Sequence, residues 1–310
     1  MYENYNSDYY VVALNKMEYI LHLAILICIY TILSQSLSLV AGYSGQVSLA
    51  HAGFYGIGAY TTALLSVNYG TPALLNLVVA LLLSGVIAYI VSKVAVKTID
   101  DYYIIITLGI QVVIFSIMNN WQSVTNGPLG IPGIPSFKIF GFALESKISF
   151  LLLSATFAGL VWFVLHRLTS SPFGTVLRAL SEDEVYTNSL GKNVHSAKIT
   201  SFVISGMLAS IAGVLYAHYI SYIDPTSFTV DESIFILSIV IIGGMRNLKG
   251  IFFAAMFLVL LPEALRFVGM PSLVAANMRQ IIYGAALILV IYRMGAKKSK
   301  AHLIVEKKQV

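Results

Sequence analysis

Apolar residues in this chain come in long runs rather than in alternation: 19–40, 73–91, 102–118, 148–165, 199–217, 250–262 and 280–292. A helix needs roughly 20 mostly apolar residues to cross about 30 Å of hydrocarbon at 1.5 Å per residue. The runs therefore predict membrane-crossing helices, the shorter ones tilting or extending into polar flanks. A membrane barrel would instead alternate in segments of about ten residues, a pattern the chain lacks. Two further segments, about 43–67 and about 233–245, are apolar but interrupted. The pattern predicts an all-α polytopic membrane protein of roughly eight to nine transmembrane helices, one or two of them interrupted or short.

Composition supports this class. Of 310 residues, 58% are hydrophobic and 11% charged, with mean hydropathy +0.82; soluble domains carry about 25% charged residues. Cys28 is the one cysteine, so no internal disulfide can form. Basic residues set the orientation. With the C-terminus cytoplasmic, Lys16, Lys138, Lys147, Arg266 and Arg279 fall outside and the other fourteen of the 19 inside. The formal charge of +5 thus reads as a topology signal, not a nucleic-acid footprint. The basic tail 294–310 can also touch anionic lipid heads. The expected division is an N-terminal segment 1–18, a membrane domain 19–293 and that tail. No cleavable signal peptide is visible at the start, and the first 18 residues carry no clear role, as an amphipathic start or as disordered chain.

The first interruption reads "AGYSGQVSLAHAGFYGIGAY", residues 41–60. On a continuous helix Ser44, Ser48, His51 and Tyr55 fall in one stripe, and Gly42, Gly45, Ala52 and Gly56 in another. The small face, with Gly53 beside it, predicts close helix packing. The polar face must look inward, since lipid would leave its hydrogen bonds unmade. Either the helix stays continuous, or Gly42 and Gly45 break it and expose backbone to a cavity. The serines serve equally as structural bonds between helices or as lining of a solute path; a histidine at membrane depth favours function. Thr107, Gln111 and Asn119 share one inward face of a later run, with Gln111 the strongest candidate. Ser44, Ser48, His51, Tyr55 and Gln111 are thus the expected pathway residues. The second interruption, "SIVIIGGMRNLKGIFFAAM" (238–256), pairs Gly243 with Gly244; Arg246 and Lys249 read as ordinary membrane anchors. It shares with the first little beyond glycine and aliphatics, which leaves an internal repeat open.

Of the polar loops, 119–147 is dense in Gly and Pro and reads as turns without regular structure. Loop 167–198 is punctuated as a helix pair. Ser171 and Pro172 suit a helix start, and Ser181 with Glu184 forms an S-x-x-E capping box for a second helix of about nine residues. Glu182, Asp183 and Glu184 place negative charge at its positive end, and Gly191 closes it in a left-handed cap. So short a helix is marginal alone and needs a docking surface, on its own membrane domain or on a partner.

The chain has no G-x-x-x-x-G-K-[ST] phosphate loop, no H-E-x-x-H or paired-cysteine metal site and no G-x-S-x-G elbow. An enzyme is not expected, nor a metal or cofactor; any ATP hydrolysis must come from another chain. A passive channel for a small neutral solute is the rival class. A secondary transporter is disfavoured because the spans lack the usual acidic residue, Glu263 lying at a span end beside Pro262.

Several stretches, "LSLVAGYSGQVSLAHAGFYGIGAYTTALL", "DDYYIIITLGIQ", "NNWQSVTNGPLGIPGIP" and "SPFGTVLRALSEDEVYTNSLGKNVHSAKITSFVISGMLASIAGVLYAHYISYIDPTSF", resemble branched-chain amino-acid ABC transporter permeases of the M-type. The likeness runs from about 35 to 292. It implies a heterodimer with a second permease, two cytoplasmic ATPases that use ATP and Mg, an extracytoplasmic binding protein and a bacterial cytoplasmic membrane. It also implies that 167–198 holds the coupling helix that fits an ATPase, with Ser181, Glu182, Asp183, Glu184 and Gly191 as its residues. Urea and short-amide permeases share much of this signature, which leaves the substrate open. The chain departs from the pattern at Met245, Arg246, Phe252 and Phe253, where small residues are usual; looser packing is expected there.

Overall fold

Each long apolar run within the described residues is helical. The computed structural model describes residues 3–98, 100–139, 142–144, 146–267, 281, 284, 285 and 288; for 3–16, 100–101, 139, 142 and 264–267 only the backbone is described. The predicted run 280–292, save those single positions, and the tail 294–310 lie outside this range. The helices are α1 (Glu3–Ser38), α2 (His51–Tyr69), α3 (Ala73–Ala95), α4 (Asp100–Asn120), α5 (Lys147–Ser170), α6 (Pro172–Glu182), α7 (Glu184–Ser189), α8 (Val194–Ile220), α9 (Val230–Gly243) and α10 (Leu248–Phe267). Among the described residues five segments are long and apolar enough to cross a membrane: Met17–Tyr43, Ala73–Ala95, Tyr102–Asn120, Lys147–Ser170 and Val194–Ile220. The segment 1–18 is helical from Glu3 and continuous with the first of them.

Local chemistry sets the helix ends. Gly70 closes α2 in a left-handed conformation, φ 61°. Pro172 ends α5 by forcing Ser171 into an extended backbone (φ −81°, ψ 170°), and itself opens α6. Ser171 caps in position only: its hydroxyl donates back to Leu168 O at 2.6 Å.

The 27-residue α8 forms the centre, packed on α1, α2 and α3. It meets α2 backbone to backbone. A β-carbon on Gly58 would lie 2.2 Å from Ser210 O, and one on Gly213 would lie 2.1 Å from Tyr55 O. Small residues let helices approach this closely, so dispersion rather than water expulsion holds them in lipid. The outer face of α3 shows the complement: Val78, Leu82, Val86 and Ile90, each one turn apart, are exposed.

The Gly/Pro-rich loop is more ordered than expected. It forms a short helix, Gln122–Thr125, and strands β1 (Ile131–Pro132), β2 (Lys138–Ile139) and β3 (Phe142–Ala143). β2 and β3 pair with each other, and β1 pairs antiparallel with β4 (Tyr222–Ile223) beyond α8. Gly130 permits this, since a β-carbon there would lie 2.1 Å from Ile223 O. Buried Phe137 beside His218 (ring centroids 5.1 Å apart) and His218 Nδ1 at 2.8 Å from Pro135 O fasten the loop to the bundle.

Candidate functional site

The first interruption is a break, not a continuous helix. α1 passes into a π-helical turn, Leu39–Tyr43, closed by the Ser44 N–H on Leu39 O at 3.1 Å. Gly45 then takes φ 75°, and 44–50 unwinds until α2 begins at His51. A helix start leaves its first N–H groups without intrahelical partners, and the N-cap here is Ala50, which has no side-chain acceptor. Other elements supply the acceptors. The Leu49 N–H donates to Thr107 Oγ1 (3.2 Å) and the Gly53 N–H to Gln111 Oε1 (2.6 Å), both on α4. The Ala52 N–H donates to Ser233 Oγ on α9 at 3.0 Å, and the Ala50 N–H to Ser48 Oγ at 3.2 Å. The Gln111 amide closes the set by donating to Phe228 O at 2.8 Å.

His51 lies against α8, with Nε2 at 2.7 Å from Ser205 Oγ. Ser205 gives its one hydroxyl proton to Ser36 O at 2.5 Å, so His51 Nε2 must be the donor and Nδ1 the bare acceptor. Nδ1 is buried without a hydrogen-bond partner among the described residues. Tyr55 packs edge-on to Phe228 at 5.0 Å and beside Tyr216 at 5.4 Å. Ser44 donates to Gln46 Oε1 at 3.2 Å.

Two expectations about this segment need correction. Ser44, Ser48, His51 and Tyr55 do not share a stripe, because the break rotates the first two away from the last two. The glycines split for the same reason: Gly42 abuts Met245 and Gly45 abuts Ser181, whereas Gly53, against Gln111 and Ile114, and Gly56, against Met118 and Phe228, still share the face toward α4. All five expected pathway residues are buried. Ser48, His51 and Gln111 converge on the break, whereas Ser44 bonds within it and Tyr55 belongs to an aromatic cluster. Asn119 is half-buried, apart from Thr107 and Gln111.

The second interruption is tight. α9 ends at Gly243, Gly244 takes φ 88°, and α10 restarts at Leu248. A β-carbon on Gly243 would lie 2.6 Å from Ile251 Cα, and one on Gly250 would lie 2.1 Å from Gly243 O. Packing is therefore close, contrary to expectation; the bulky Phe252 and Phe253 point outward and are exposed. A β-carbon on Gly42 would meet Met245 O at 1.8 Å, so the two breaks touch through bare backbone.

Arg246 turns that contact into a clamp, not the ordinary anchor the sequence suggested. Its Nε donates to Gly42 O (2.9 Å), its Nη2 to Ser181 Oγ (2.5 Å), and its Nη1 lies 3.5 Å from Glu182 Oε1. Tyr43 returns its hydroxyl to Arg246 O at 3.0 Å. Break one, break two and the end of α6 thus meet at one arginine.

The α6–α7 pair departs from the predicted capping box. Ser181 lies inside α6 and donates to Arg178 O at 2.7 Å. Asp183 is the cap instead: its backbone is extended (φ −153°, ψ 107°) and its Oδ1 accepts the Tyr186 N–H at 2.8 Å. α7 has six residues, not about nine. Glu184 reaches Lys198 Nζ on α8 at 2.5 Å, and Gly191 takes the left-handed φ of 75°. Val185 and Tyr186 stand 77% and 64% exposed, apolar surface on a helix too short to hold itself. A depression of about 610 Å³ beside them is lined by Glu184, Asn188, Lys192 and His195.

Ser36, Ser205, Ser233, Arg246 and Lys198 were missed as site residues. Ser201 and Ser205, one turn apart in a mostly apolar run, were the legible signal. Among the described residues no group of three or more His, Cys, Asp or Glu could hold a metal ion. Glu263 is not free at its span end: Tyr19 donates a hydrogen bond to it.

A family model described as "Branched-chain amino acid transport system / permease component" matches residues 19–291. "High-affinity branched-chain amino acid transport system permease protein LivM" of Escherichia coli (strain K12) is 35% identical over 79% of this chain and 63% of its own length. "Probable branched-chain amino acid transport permease protein LivM" of Methanocaldococcus jannaschii is 28% identical over 72% of this chain and 74% of its own. A permease named LivH from Salmonella typhimurium is 23% identical over 86% and 89%. The chain spans less than two thirds, 63%, of the Escherichia coli and Salmonella typhimurium LivM proteins it matches. No solved structure matches it.

Proposed function

The chain belongs to the branched-chain amino acid transport permease family, and on that premise we propose that it is a membrane subunit of an ABC importer for branched-chain amino acids. Its partners are a second permease of the LivH kind, two ATPases that use ATP and Mg, and an extracytoplasmic binding protein. It crosses the cytoplasmic membrane in roughly eight to nine segments, with 167–198 and the C-terminus cytoplasmic. The fourteen-to-five distribution of its 19 basic residues supports this orientation.

The observation that carries the mechanism is the Arg246 junction. α7 presents Val185 and Tyr186 as the coupling surface, and an ATPase gripping it moves α6. Arg246 bonds Ser181 at the end of α6 and Gly42 in the π-turn that leads into the first break at once. Movement of α6 therefore reaches the backbone at 42–50 without an intervening soft element, as a rigid shift of packed pieces. That unwound segment, with Ser48, His51 and Gln111 beside it, is where the amino acid passes.

The test is reconstitution with the neighbouring permease, ATPases and binding protein in vesicles, reading leucine uptake and ATP hydrolysis together. ATP-dependent leucine uptake is expected, with urea and acetamide failing to compete. Glu184→Ala should reduce uptake while hydrolysis continues, because α7 loses its tie to α8. Uptake indifferent to ATP would return the channel reading, and competition by the amides would move the substrate class.

A further inference from the structure

A small pocket lies beside the first break, with a buried cation and, among the described residues, an unpartnered hydroxyl in its walls. It measures about 140 Å³ and is lined by Gly45, Gln46 and Val47 of the unwound segment, Tyr103 of α4 and Lys198 of α8. That is several times the space of roughly 10–15 Å³ that one water requires. Two of its walls are poor packing residues. The Lys198 side chain is a cation only 7% exposed, its charge met by Glu184 at 2.5 Å. Tyr103 is 1% exposed and its hydroxyl has no hydrogen-bond partner among the described residues. A buried hydroxyl without a partner is uncommon in folded proteins and calls for an explanation such as a ligand.

The charges are unequally held. Lys198 is enclosed, whereas the Glu184 side chain is 50% exposed on α7. Nζ carries three donors, so a second carboxylate entering the pocket can share it or take it while Glu184 turns to water. Val47 and Ile104 supply an apolar wall alongside. A carboxylate on a short branched aliphatic stem matches these features in charge, donors and size.

We propose that this pocket binds the α-carboxylate of the amino acid at the inner mouth of the path, through Lys198 Nζ and the Tyr103 hydroxyl, in competition with Glu184. The inference rests on the transport reading and its orientation, and adds a site and a consequence to it. Occupancy loosens the tie between α7 and α8, so the helix facing the ATPases senses whether product has left.

The experiment is equilibrium binding of radiolabelled leucine to the assembled complex in nanodiscs, without the binding protein, with leucine uptake by the same preparation in vesicles measured in parallel. Tyr103→Phe should weaken binding about tenfold or more, the effect of losing one hydrogen bond to a charged group. It removes an unpaired hydroxyl, so folding should not suffer. Lys198→Gln should weaken it at least as much. Glu184→Gln should tighten it about threefold, because the competitor is gone and more of the lysine is competent to bind. Isovalerate, which keeps the carboxylate, should compete, and isopentylamine, which keeps the stem and the amine, should not. A purely structural lysine–glutamate pair would give both partners' variants the same sign. Binding unchanged in Tyr103→Phe, or equal competition by the amine, overturns the proposal. Intact uptake without such binding overturns the pocket alone, and absent uptake overturns both readings.

Discussion

The two breaks in this bundle are built on opposite principles. The first, 44–50, is wide and polar: the N–H groups that its unwinding leaves without helical partners are capped by Thr107, Gln111, Ser233 and its own Ser48. The second, 243–247, is short and bare: Gly243 and Gly250 bring α9 and α10 into backbone contact. A wide break whose hydrogen bonds come from several separate elements can change when any of those elements moves. A break held by backbone contact can only move as a block. The molecule thus joins a deformable backbone segment to a rigid one, with Arg246 as the link.

The largest effect should come from filling the contact between them. Gly42→Val would drive a side chain into Met245 O, and backbone cannot yield as a flexible side chain can; overpacking typically costs about 1–3 kcal/mol, and a clash with backbone belongs at the upper end of that range. Loss of folded protein in a thermal or denaturant titration in detergent is expected, and a variant as stable as the parent would show that the breaks do not touch. Next comes Arg246→Met, which keeps the length and removes the fork. Uptake should fall by roughly tenfold or more while membrane assembly persists, since hydrogen bonds to a charged group are worth about 1.5–3 kcal/mol. Arg246→Lys should not restore it, because a compact ammonium lacks the rigid planar fork that spaces the donors to Gly42 O and Ser181 Oγ. Normal uptake in either variant would make the junction a bystander.

His51→Phe probes the wide break alone. It removes one hydrogen bond, to Ser205, at about 1 kcal/mol of stability. If the bare Nδ1 serves the passing solute, uptake should fall far more than that small loss of folded protein explains; proportionate losses would reassign His51 to structure. A smaller effect belongs to Gly191→Ala beyond α7. Its left-handed φ of 75° disfavours alanine by about 1 kcal/mol, with open space around it. Gly109→Ala, also in open space and without positive φ, should change stability by less than that.

Much of this was written locally. Helix positions followed from hydropathy, the stop at Ser171 from Pro172, and the left-handed turn at Gly191 from a glycine behind a short polar helix. Local reading also misled: S-x-x-E at 181–184 is a capping box by spacing, yet Asp183 takes the cap because α6 already holds Ser181. The helical-stripe reading of Ser44, Ser48, His51 and Tyr55 presumed constant rotation, which a π-turn and Gly45 abolish.

Local patterns suffice for a helical membrane protein with two glycine-marked interruptions, because hydropathy and backbone freedom act within a few neighbouring residues. What completes those interruptions comes from the packing of distant segments. The Leu49 N–H finds an acceptor 58 positions away and the Ala52 N–H one 181 away, while Arg246 bonds a carbonyl 204 residues earlier. A broken helix must satisfy its backbone with whatever polar groups the packing brings near, and no local pattern encodes which those are.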